Sequence, residues 1–77
     1  MINKKFSWES PCFTYSNDDE IWQDRAIMAL SNLFITLSRY LVMNYEPPIS
    51  INIRYEKDLW DCCFIADVDA IPRRFKE

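Results

Sequence analysis

The sequence predicts an α+β protein in the order strand(s), long helix, β-hairpin, with one helix packed across a three- or four-stranded antiparallel sheet. Three observations carry that expectation. An acidic helix start at Ser16-Asn17-Asp18-Asp19-Glu20 opens an apolar periodicity that lasts to Tyr45. A Glu46-Pro47-Pro48 stop follows it, and two runs of strict apolar–polar alternation follow the stop. A chain of 77 residues has room for one domain, 1–77, that buries about 60% of its unfolded surface.

In residues 3–16, Phe6 and Trp8 alternate with polar neighbours, then Phe13 and Tyr15 do the same, with Pro11 between the pairs. This spacing predicts either one bent edge strand or a tight hairpin of two short strands. Ser16 or Asn17 is placed to cap the helix, with acids in the first turn where the helix dipole favours them. The helix is expected over about 18–45, about 40 Å long at 1.5 Å per residue, with a possible break at Ser31-Asn32. It ends at Pro47-Pro48 because a residue preceding proline is driven out of helical geometry.

Beyond the stop, Ile49, Ile51, Ile53 and Tyr55 alternate with polar residues, and Trp60, Cys62, Phe64, Ala66 and Val68 form a second alternating set. These are the hairpin strands, about 49–56 and 59–68. A turn centred on Lys57-Asp58 pairs Tyr55 with Trp60, Ile53 with Cys62 and Ile51 with Phe64, putting both apolar sets on one face. The tail from Ile71 to Glu77 reads as irregular. Arg54 is placed to pair with an acid of the following strand.

The helix carries the functional signal. At 100° per residue, Trp22, Ala26, Ala29, Leu30, Leu33, Phe34, Leu37, Tyr40 and Leu41 share a broad face suited to covering the sheet, with Ile27 at its margin. Ile21, Met28, Ile35 and Val42 recur every seven residues on the other side and stay in a slowly drifting line. The competing expectation is that strands and tail wrap the helix and bury this line too. Strands of 8–10 residues reach only about 27–34 Å, which is short for enclosing such a rod. The candidate partner-binding residues are therefore Ile21, Met28, Ile35 and Val42, with Arg39 beside them and Trp60 near the hairpin tip. Trp8 and Trp22 read as core or rim anchors.

Composition narrows the classes of function. The chain has no histidine and no glycine, which removes the usual base of a nucleophilic triad and the common phosphate-cradling loops. No catalytic residue, metal or cofactor is expected. Asp61 and Asp67 share a strand face about 20 Å apart, too far to share a metal or a proton. Cys12, Cys62 and Cys63 are odd in number and include neighbours on opposite strand faces, which suggests buried thiols in a reducing cytoplasm. No stretch approaches 18 uninterrupted apolar residues, so neither a membrane span nor a membrane partner is expected. Twelve acids against nine bases disfavour general nucleic-acid binding.

The resulting expectation is a protein-binding regulator or inhibitor that occupies a partner's surface. In composition, a tiny glycine-free chain rich in Asn, Ile, Asp and aromatics resembles the accessory proteins of phages and mobile elements that act on host proteins. Two alternatives are a homodimer paired through the helix and a nucleic-acid-related role by contact or acidic mimicry.

Overall fold

The computed structural model describes residues 3–74. Strands β1 (Lys4–Glu9) and β2 (Phe13–Thr14) precede helix α1 (Asp19–Asn44), and β3 (Tyr45–Asp58) and β4 (Asp61–Pro72) follow it. The α+β class and the single helix across an antiparallel sheet are as the sequence predicts. β4 is central: β1 and β2 both pair with one of its edges and β3 with the other.

Residues 3–16 therefore form one interrupted edge strand, not a hairpin. Proline has no N–H to give a ladder, and it restricts the residue before it, so pairing breaks at Ser10-Pro11-Cys12. Ser10 repairs the gap. Its N–H donates to the Phe64 carbonyl at 2.9 Å, and its Oγ accepts the Phe64 N–H at 2.9 Å while donating to the Pro11 carbonyl. Ser10 is buried, so its hydroxyl supplies an acceptor that water does not.

Asp18, not Ser16 or Asn17, caps the helix. Its Oδ1 accepts the amides of Glu20 and Ile21, which puts a carboxylate at the positive end of the helix dipole. Ser16 accepts the Asp18 amide instead. The helix runs unbroken through Ser31-Asn32. Its last turn holds no basic residue, and Arg73 substitutes from the far end of β4. The Arg73 amide donates to the Asn44 carbonyl, and its guanidinium donates to the carbonyls of Val42 and Tyr45.

The hairpin keeps the expected facing but not the expected register. The turn lies at Leu59-Trp60, with Asp58 opposite Asp61, Tyr55 opposite Phe64, Ile53 opposite Ala66 and Ile51 opposite Val68. Sliding the second strand by four residues preserves which face each side chain takes, because strand periodicity is two. Alternation alone thus fixes the face and leaves the turn open. Aromatic packing favours the observed register: the Tyr55 and Phe64 rings are 5.5 Å apart and Phe64 stacks on Phe13 at 5.8 Å. The strands are also longer than expected. Ile71 and Pro72 pair with Glu46 and Tyr45 across a bulge at Glu46/Ile49, so of the described tail residues only Arg73 and Arg74 are irregular. Phe75–Glu77 lie outside the described residues.

The core is one cluster of Leu33, Leu37, Leu41, Tyr45, Ala66, Val68 and Ala70, closed at its rim by Phe6, Trp8, Leu30, Tyr40, Ile49, Ile53 and Phe64. The small Ala66 and Ala70 on β4 let the helix leucines sit close to the sheet. Rim aromatics tie the helix to β1: Tyr40 packs on Phe6 and Trp8, and the Trp8 indole donates to Thr36 Oγ1 at 3.0 Å. On the outer face, Arg54 bridges Asp67 at 2.9 Å and Glu56 at 2.7 Å, as its placement suggested, while Ser7 also donates to Asp67. Those hydrogen bonds hold the Asp67 carboxyl below its usual range.

Two expectations about burial need correction. Phe34, assigned to the sheet-facing set, is largely exposed, because it projects from the helix shoulder, beyond what the sheet covers. Of the cysteines only Cys62 is buried; Cys12 is exposed at the β1–β2 break and Cys63 is half-buried on the outer face. Burial pushes the Cys63 thiol up, with the adjacent Cys12 adding to the effect.

The protein is long and thin, 52 × 18 × 15 Å. It exposes 5927 Å², against about 5,000 Å² for a compact monomer of this mass. By length and composition α1 also qualifies as a helix that could cross a membrane, since an interrupted apolar run can still be hydrophobic on average. The sheet takes one face of that helix.

Candidate interaction surface

Every member of the line Ile21, Met28, Ile35 and Val42 is between 45% and 74% exposed. Helical geometry explains why. The core cluster takes the arc centred on Leu33 and Leu37, and these four lie on the opposite arc at 3.6 residues per turn. No strand of the described residues reaches that side. Arg39, Asp24, Asn32 and Ser38 flank the line and are exposed as well, a mixture of aliphatic side chains and scattered polar groups typical of protein interfaces.

The exposed apolar patch is wider than the seven-residue line. Ile27, Phe34 and Met43 are also exposed, so the bare face extends around both sides of the line. The signal for Met43 was available: it projects from the same side as Arg39 and Asn32 at 100° per residue. Ile27 and Phe34 were missed because a sheet edge, invisible in sequence, decides how far up the helix shoulder coverage extends.

Beside Met28 the surface is concave. A cleft of about 320 Å³ is lined by Pro11, Cys12, Phe13, Arg25, Met28, Ala29 and Asn32. It exists because the edge strand breaks at Pro11, where a continuous strand would have filled the gap. Arg25 holds the rim by donating to the Thr14 carbonyl at 2.9 Å. A mostly apolar cleft with one fixed cation at its rim can accept an aliphatic or aromatic anchor carrying a polar tip.

Trp60 does not join the line. With Leu59 it makes a separate patch at the hairpin tip, the two residues being 61% and 83% exposed. The Trp60 ring packs at 6.3 Å on Tyr15, whose ring also carries the Lys57 ammonium at 3.7 Å. Leu59 has φ 56°, the left-handed region that costs a residue with a Cβ about 1–2 kcal/mol. Glycine or asparagine is the usual occupant of such a position. A large apolar side chain held there in water gains nothing from the core.

Among the described residues no group of three or more His, Cys, Asp or Glu is arranged to hold a metal ion. No protein-family model, no curated protein and no solved structure matches the chain.

Proposed function

We propose that the protein is a binding module, a small regulator or inhibitor that acts by laying the outer face of α1 on another protein. The observation that carries this reading is the joint exposure of Ile21, Met28, Ile35 and Val42, a line longer than one helical turn with a cleft beside its second member. Water is a poor neighbour for four large aliphatic side chains in a row, and contiguous apolar surface of this kind on a soluble chain marks an interaction site. The cleft beside Met28 receives the partner's anchoring side chain, and Arg25 and Arg39 provide polar contacts at the rim.

A protein suits this face better than an anionic lipid surface. Asp24 lies within the outward arc, and the helix carries only two arginines and no lysine, whereas surface-lying membrane helices are rich in basic residues. The protein as a whole is also net acidic, at −3. A cytoplasmic location is consistent with the free thiols. Nucleic acid is a weaker candidate, because Arg73 of the basic tail already serves the helix C-terminus.

A second reading keeps the surface and changes the partner, with the line pairing against the same line of another copy. Photo-crosslinking separates the two. With a benzophenone amino acid at Ile35 in the native host, irradiation is expected to give one discrete adduct with a foreign protein. The same probe at Ser7, on the outer sheet face, should give none. An adduct twice the chain's own mass would favour the self-pairing reading. No adduct at Ile35, or equal adducts at both positions, would sink the assignment of this face.

A further inference from the structure

The break in the edge strand brings Cys12 and Cys63 together. Glu9 lies opposite Ile65 before the break, and Phe13 lies opposite Cys62 after it. The edge thus advances four residues while β4 advances three, which makes Pro11 the extra residue of a bulge. Carrying the β2 register one step back places Cys12 opposite Cys63. Phe13 turns to the helix side, where it stacks on Phe64, so alternation puts Cys12 and Cys63 together on the outer face. The Tyr15 amide donates to the Trp60 carbonyl at 2.7 Å. That makes 15 and 60 a hydrogen-bonded pair and, by alternation, 12 and 63 a non-hydrogen-bonded one. The Cα atoms of such a pair lie about 4.5 Å apart, within the span of roughly 4.4–6.8 Å that a disulfide bridges.

We propose that Cys12 and Cys63 form a redox-modification site, closing reversibly to an intramolecular disulfide by exchange with a small-molecule disulfide such as oxidised glutathione. Cys12 is exposed and Cys63 half-buried, so Cys12 meets the reagent first. Its thiolate attacks one sulfur of the reagent, forming a mixed disulfide at Cys12 and releasing one thiol. Cys63 then gives its proton to solvent and attacks the Cys12 sulfur, expelling the second thiol. Two protein thiols are oxidised, and one reagent disulfide is reduced to two thiols. Burial first, and then the charges of Cys12, Glu9 and Glu56, hold the Cys63 thiol up, which suits it to the second step and not the first. Cys62 takes no part: it is buried, it points to the other face, and the Tyr55 hydroxyl donates to its sulfur at 3.2 Å. An accessible thiol beside a resolving one is how cysteines sense oxidants in otherwise reducing compartments.

The disulfide ties the edge to β4 where the ladder is interrupted, and it closes a loop that holds all of α1 and β3. Cys12 also lines the cleft beside Met28, so oxidation fixes one wall of that cleft. The pairing of the two thiols follows from strand register and stands apart from the binding role proposed above.

Incubating the reduced protein with oxidised glutathione, then alkylating, digesting and mapping it by mass spectrometry, tests the site. The expected product is a monomer with Cys12 joined to Cys63 and only Cys62 alkylated. Its melting temperature should rise by about 10–20 °C and fall back on reduction with dithiothreitol. In Cys63→Ser the reaction should stop at a glutathione adduct on Cys12, and in Cys12→Ser it should slow by about tenfold or more. A lasting glutathione adduct on the unsubstituted protein, a covalent dimer through Cys12, or a link through Cys62 would each overturn the proposal. A Cys12–Cys63 link that leaves the melting temperature unchanged would overturn the tie across the break.

Discussion

Leu33→Ala is expected to lower the melting temperature by about 12–24 °C, a shift that corresponds to a loss of about 3 kcal/mol in a domain this small. Leu33 is fully buried at the centre of the core cluster, against β4. Truncating it removes three carbons of buried surface and leaves a cavity that the alanines of β4 are too small to fill. A domain of 77 residues has about 4–12 kcal/mol to lose in total, so the variant sits near the edge of folding. Ile35→Ala is the matched control. Two residues away on the opposite arc, it is expected to stay within about 0.5 kcal/mol of the parent. Thermal melts followed by far-ultraviolet circular dichroism measure both.

Ser10→Ala should cost about 1–3 kcal/mol, far more than its one missing atom suggests. The hydroxyl accepts the Phe64 amide at the one place where Pro11 prevents the edge strand from doing so. Alanine keeps the packing and orphans that amide beside a buried residue. Hydrogen exchange is the specific readout: the Phe64 amide should lose protection in the variant while the amides of β3 keep theirs. Unchanged protection at Phe64 would mean that water, and not Ser10, is the operative partner.

How much of this was legible in the sequence depended on whether local chemistry or distant packing decided the feature. The helix ends were legible, because the acids at 18–20 and Pro47-Pro48 act on their own neighbours. The facing of the hairpin was legible from alternation. Its register was not, since a slide that preserves facing leaves the pattern unchanged, and the choice falls to contacts such as Phe13 on Phe64 that connect distant segments. The role of Arg73 was illegible for the same reason: nothing near it in sequence announces a helix end twenty-nine residues earlier. The exposed line could be found because it needs only the helical period and a limit on how far strands reach. The cleft beside Met28 could not, because it arises where an edge strand breaks across from the helix. Exposure of Leu59 at positive φ likewise needed the turn to be located first.

The central claim is that Ile21, Met28, Ile35 and Val42 form a surface and not a second core. A thermal melt of the double variant Met28→Asp/Ile35→Asp tests it most directly. Two carboxylates on a solvated arc should leave the melting temperature within a few degrees of the parent and the circular dichroism unchanged. Loss of the cooperative transition would contradict the claim, because charge is that costly only at positions the fold itself keeps dry.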